Sequence, residues 1–228
     1  MKPAFVLFLG IAAQPAFALQ VSAAFAEYCE TNLPATQIEV VSEAPALVYD
    51  FSKSVRDLTQ RKSFGARALT LGLTERKLVT ELQISSPSKS HRWEPVMCTR
   101  PSVTVTLSLA PHTVFVGTEF PQDGCAFSAI LKHEQRHVAV NNMALKNTAE
   151  RLTRELRASF GNRVYYGQRA ELEAAISRQT RDWQVWVESE IAKVDRLHNS
   201  IDTPEEHARN DTLCGGEIPL ALKAAGLR

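Results

Sequence analysis

Residues 126–160 read AFSAILKHEQRHVAVNNMALKNTAERLTRELRASF, without a glycine or a proline. Phe127, Ile130, Leu131, Val138, Leu145, Ala149, Leu152 and Leu156 recur in it at helical spacing, which predicts one long helix capped near Asp123 and ended by Gly161. A second helix is expected over 169–201, with Leu172, Ile176, Trp183, Val187, Val194 and Ile201 on one stripe, stopping before Pro204. The link between them, 161–168, is short enough to predict an antiparallel hairpin.

Upstream the character changes. Segments 37–42 (QIEVVS), 78–84 (LVTELQI) and 102–109 (SVTVTLSL) alternate apolar and polar residues as strands do, and prolines at 34, 45, 87, 95, 101, 111 and 121 bound them. Residues 51–60 suit a short helix. The expected fold is therefore α+β: a small N-terminal antiparallel sheet packed with a long C-terminal helical hairpin. Residues 19–228 are expected to form one domain, with 19–122 mainly strands, 123–203 the hairpin and 204–228 a loop or tail.

The 228 residues, 44% hydrophobic and 22% charged, can bury a real core, which excludes a disordered or fibrous chain. Lys plus Arg number 26 against 25 acids, so no global field is available to hold nucleic acid or an anionic membrane.

Lys2, the apolar run at 4–13 and the small-x-small pattern Ala16-Phe17-Ala18 predict a secretory signal peptide over 1–18. Ala24-Phe25-Ala26 offers a second cleavage point. The run is too short to span a bilayer, so the expectation is a periplasmic or secreted protein with no stable membrane anchor after cleavage. Its four cysteines, Cys29, Cys98, Cys125 and Cys214, predict two disulfides in that setting. Three pairings are open, with Cys98–Cys125 and Cys29–Cys214 preferred.

Within the long helix stands His133-Glu134-Gln135-Arg136-His137. Histidines at i and i+4 share a face, so both imidazoles can reach one ion at about 2.0–2.1 Å. Glu134, about 100° around the helix from His133, can flank that ion and serve as general base and acid. The pattern is that of zinc hydrolases, peptidases and other amide hydrolases alike, which spacing does not separate; the expectation is a zincin-like peptidase acting on a peptide or protein substrate. The alternating strand just upstream suggests an edge against which an extended peptide could lie.

A catalytic zinc takes a third protein ligand and keeps a position for water. Glu150 and Glu155 are excluded, because an unbroken helix puts them about 20 and 27 Å from His137. Folding the hairpin at residue 163 or 164 sets His133 opposite residue 194 and His137 opposite 190. The candidates there are Glu190, Asp195, His198, Asp202, Glu205 and His207. Glu190 falls on the apolar stripe, so it is either paired or a ligand; Asp195 and His198 read as solvated helix-face residues.

The chain resembles a family of secreted bacterial zinc-dependent proteases over residues 38–210: in Tyr49-Asp-Phe-Ser-Lys-Ser, in Cys98 ahead of the 103–109 strand and Pro111, and in the segment from Cys125 to His137. A later segment of that family reads approximately Tyr-Asp-x-Glu-Thr-x-His-Gly, and Asp202 and His207 keep its Asp-to-His spacing. Ile201 replaces the tyrosine, Ala208 replaces the glycine, and Glu205 and Glu206 do not reproduce the Glu and Thr. The resemblance implies a metallopeptidase with Asp202 as third ligand and His207 as a transition-state donor. Two other readings stay open: a non-catalytic envelope interaction module with a relic or structural metal site, and a zinc amidase acting on a cell-wall amide.

Overall fold

A computed structural model describes residues 21–44, 46–62 and 69–227; the expected signal peptide lies outside them. The elements run α1 (Ala23–Asn32), β1 (Ile38–Glu43), β2 (Val48–Asp50), α2 (Val55–Arg61), β3 (Gly72–Ser85), β4 (Ser88–Ser90), β5 (Met97–Thr99), β6 (Ser102–Val116) and α3 (Cys125–Phe160). There follow β7 (Tyr165–Gly167), α4 (Arg169–Ala192), α5 (Val194–Asn199), α6 (Pro204–Asn210), a 3₁₀ turn (Leu213–Gly216) and α7 (Glu217–Ala224).

The α+β class is as expected, but the main sheet is mixed. Its axis is β6, with β1 and β2 parallel to it along one edge and β3 antiparallel along the other. Alternation predicts a strand's existence and its buried face, not the direction of its partner. Strand β6 also runs past Leu109, where Pro111 suggested an end. Ala110 and Pro111 together oppose the single residue Lys77, since Arg76 pairs with His112 and Leu78 with Leu109. Before this bulge Val103, Val105, Leu107 and Leu109 are the buried residues of β6; after it every residue from His112 to Val116 is buried, and His112 reaches Asn141 of α3.

Helix α3 lies across the sheet and meets two apolar cores. Toward its C-terminal end Leu145, Ala149, Leu152, Leu156 and Phe160 pack on the β6 valines and leucines and on Val187 of α4. Toward its N-terminal end Ala126, Phe127 and Ile130 pack with Val55, Val116, Phe120, Ile218 and Leu222. Glycine 124, not Asp123, is the N-cap, and it supplies no side-chain bond. The carboxylate of Glu217 from α7 instead accepts the Ala126 N–H at 2.9 Å. Residues 204–227, expected as a loop or tail, are thus largely helical and anchor the start of α3.

The second helix breaks at Lys193 into α4 and α5. Its register against α3 also differs from the expected one. Phe160 meets Trp183 at 4.8 Å between ring centroids, and Glu190 pairs with Arg151 rather than facing His137. The link is not a bare turn: β7 pairs with β5 before α4 begins, which displaces the whole second arm. Disulfides join Cys29 to Cys98 and Cys125 to Cys214, not the preferred pairs. The first ties α1 to β5 in a third core around Phe25, Leu33 and Val96; the second ties the start of α3 to the C-terminal turn. Disulfides of this kind persist in oxidising, extracytoplasmic surroundings. Among the described residues, no helix is long and apolar enough to cross a membrane.

Candidate metal centre

Between its two apolar ends the inward stripe of α3 turns polar, with Glu134, His137 and Asn141 all buried. Three successive buried polar residues on one face are costly unless each has a partner, and each has one. Thr74 of β3 lies within 2.8 Å of the Glu134 carboxylate and donates its hydroxyl there, its Oγ1 also being 3.1 Å from the Glu134 carbonyl. Gly72, two residues earlier on the same face of β3, makes the room: a Cβ there would come within 2.8 Å of Glu134 Oε1 and 2.7 Å of Ile130 Cγ2. Burial pushes the Glu134 carboxyl above its ordinary range, against the Thr74 hydrogen bond and the nearby histidines.

His133 Nε2, His137 Nε2 and Asp202 Oδ1 converge. Asp202 Oδ1 lies 2.9 Å from the first and 3.0 Å from the second, and the two nitrogens are 3.1 Å apart. Tetrahedral coordination at 2.0–2.1 Å separates ligand atoms by about 3.3 Å, so the triangle is a few tenths of an ångström tighter than a metal would hold it. Protons alone do not satisfy it. If both imidazoles donate to Asp202, their N–H groups confront each other, whereas a cation between three lone pairs satisfies all three. These residues form a candidate metal-binding group. Cys125, Cys214 and Glu217 also lie close together, but the two sulfurs are joined in a disulfide.

Asp202 reaches the histidines because α5 ends one turn short of it. Its backbone N–H donates to the His198 carbonyl at 3.0 Å, and Thr203 then caps α6, with Pro204 at its first turn. Burial opposes ionisation of Asp202, yet the imidazoles of His133 and His137 against it hold its carboxyl well below the ordinary range. Lys62 approaches the other oxygen of Asp202 at 3.5 Å. On the far side of His133, Nδ1 lies 3.3 Å from Glu206 Oε1, and Arg136 and Arg209 pair with the same carboxylate. The Nδ1 of His137 instead meets Nδ1 of His198 at 2.8 Å. Burial, with the charges of His137 and Arg76, drives His198 down to about 4.

The group opens onto a cleft of about 650 Å³ lined by residues 69–76, among others. The strand beside the motif is therefore β3, not 102–109, which is the middle of the sheet. Strand β3 pairs with β6 alone, so its outer edge has no strand partner among the described residues.

Of the residues singled out by sequence, His133, Glu134, His137 and Asp202 come together. Glu190 is paired, with Arg151 and Lys193; Asp195 pairs with Arg76 at 3.0 Å; Glu205 is exposed. The backbone of His207 lies in α6, and its side chain falls outside the described residues. His198, read as solvated, backs His137. His112, not among the candidates, is buried in β6 with Nε2 3.4 Å from the Asn141 amide. Glu206 and Thr74 carry no local signal, since their partners are 73 and 60 residues away; Asn141 could have been found as a polar residue on the inward stripe. No protein-family model, curated protein or solved structure matches the chain.

Proposed function

We propose that the protein is an exported zinc-dependent peptidase, with His133, His137 and Asp202 as metal ligands and Glu134 as general base and acid. The observation that carries this reading is the meeting of three lone-pair donors beside a buried glutamate at the wall of a cleft. Held by those side chains, zinc supplies Lewis acidity, which lowers the pKa of a water to about 7 and polarises a carbonyl.

The remaining work belongs to the chain. Burial keeps the Glu134 carboxyl prone to hold a proton, which suits a group that accepts one from the attacking water and passes it to the leaving amine. The Thr74 hydroxyl and the space above Gly72 fix where that carboxylate sits. The edge of β3 that has no strand partner among the described residues suits an extended peptide added as a further strand. A structural site would be closed by four protein ligands, whereas three converge among the described residues. Export rests on the sequence of residues 1–18 and agrees with the two disulfides. His207, carried over from the resemblance, acts here as transition-state donor, so His207→Ala should lower turnover and leave metal content unchanged.

Elemental analysis of the purified, oxidised protein tests the ligands, reading zinc against iron, which a two-histidine, one-carboxylate set also binds. The expected result is about one zinc per chain, lost in His133→Ala and weakened in Asp202→Ala. Glu134→Gln should keep its zinc while peptide cleavage falls by roughly 10²- to 10⁴-fold. A variant as active as the wild type would remove Glu134 from the mechanism.

A further inference from the structure

Two histidines of the same helix face the ligand triangle through Nε2, and their other nitrogens are held in unlike ways. Nδ1 of His133 lies 3.3 Å from the Glu206 carboxylate, an acceptor, and 2.8 Å from the Arg136 guanidinium, a donor, so these neighbours do not fix which of its nitrogens carries the proton. Nδ1 of His137 faces another Nδ1, that of His198. Two imidazole nitrogens at hydrogen-bond distance need one donor and one acceptor, and either order is open to the pair taken alone.

The third member decides. Nε2 of His198 lies 2.9 Å from Oδ1 of Asn141, an amide oxygen that can only accept. His198 therefore carries its proton on Nε2, and as a neutral ring it has a lone pair on Nδ1. His137 must then be the donor, with its proton on Nδ1, and its Nε2 is left as a lone pair aimed at Asp202 and His133. This orientation of Asn141 goes with Nε2 of buried His112, 3.4 Å from the amide nitrogen, acting as acceptor.

We propose that Asn141 and His198 are positioning residues that fix the tautomer of His137 and so keep its Nε2 available as a metal ligand. The chain runs across three elements: Asn141 one turn beyond His137 on α3, His198 on α5 and His112 beyond the bulge of β6. His198 also accepts the Asp202 N–H through its carbonyl, so one turn of α5 sets both the proton of one ligand and the placement of another. The proposal rests on reading His133, His137 and Asp202 as ligands.

The test has two parts. Nitrogen-15 NMR of the histidine-labelled, metal-free wild type should find His137 protonated at Nδ1 and bare at Nε2, with His198 the reverse. Zinc affinity, measured by competition with a chromophoric chelator, should then follow acceptor chemistry rather than size. His198→Phe should lose about 10- to 100-fold, and His198→Gln, which retains an accepting oxygen, should recover most of that loss. Asn141→Asp should stay near wild type and Asn141→Leu should weaken binding. A wild-type His137 protonated at Nε2, or equal affinities for His198→Phe and His198→Gln, would overturn the relay. A wild type that binds no zinc would overturn the ligand reading but not the relay, which the nitrogen assignment decides by itself.

Discussion

The imidazole of His133 lies between two carboxylates, Asp202 at Nε2 and Glu206 at Nδ1, with Glu134 beside it in sequence. Burial alone would lower its pKa; the Asp202 hydrogen bond, the Glu134 charge and Glu206 outweigh that and raise it above 6.5. In the metal-free protein the sign follows from linkage. The stabilisation from protonated His133 is fully present below the unfolded value of about 6.5 and is lost as pH climbs through the raised folded value. Zinc must displace that proton, so its affinity should strengthen over the same window. Urea denaturation of metal-free protein across pH 6 to 9, with chelator competition in parallel, checks both; zinc affinity flat across that range would contradict the assignment. At this scale the site was half legible. His133, Glu134 and His137 lie on one turn, where spacing implies geometry. Asp202 was one candidate in a set, because its approach depends on how α5 and α6 dock. Glu206, His198 and Thr74 owe their roles to tertiary contacts that no local pattern announces.

A strand and a helix share responsibility for Glu134, and the strand's part can be separated by mutation. Thr74→Val keeps the shape of the side chain and removes the hydroxyl, leaving a buried carboxylate oxygen without its donor. The expected cost is about 1–3 kcal/mol in urea unfolding. The Thr74 bond lowers the Glu134 pKa while burial raises it, so its removal lifts the value further, and the acidic limb of the activity profile should move to higher pH. Thr74→Ser should restore both readings. Gly72→Ala acts sterically: the new methyl meets Ile130 and Glu134, whose Cγ is only 2.9 Å away, and the carboxylate must shift. Such displacement costs on the order of 10²-fold in turnover with zinc content preserved; unchanged turnover would mean that β3 does not position the base. Legibility differed by element for physical reasons. The periodicity of α3 revealed it almost to the residue, because one helix face carries both cores. The continuation of β6 was hidden by Pro111, since a strand that absorbs proline in a bulge reads locally like one that ends. The register of α4 was missed because β7 uses part of the linker to pair with β5, a partner 66 to 70 residues upstream.

Across the molecule, the two ends of the described chain are fastened to different parts of the fold. Helix α1 is tied by Cys29–Cys98 to β5 of the small three-stranded sheet, in a core that includes neither His133 nor His137. The C-terminal segment is tied by Cys125–Cys214 to the first turn of α3, with Ile218 and Leu222 of α7 in the same core. That segment follows directly on Asp202 and α6. Cysteine spacing could not reveal this, since pairing is set by which elements pack together, and α1 and α7 were not foreseen. The difference in attachment makes the two disulfides separable. Removing either should cost about 2–5 kcal/mol of stability. With Cys29 and Cys98 both changed to alanine, the protein that remains folded should bind zinc as the wild type does, because every ligand is held elsewhere. With Cys125 and Cys214 both changed, zinc affinity itself should fall, because the chain following Asp202 has lost its covalent hold on the helix that carries His133 and His137. Chelator competition on both variants, at a temperature where circular dichroism finds each folded, makes the comparison. Equal zinc affinities would mean that α5 and the apolar contacts of α7 hold Asp202 in place without the disulfide.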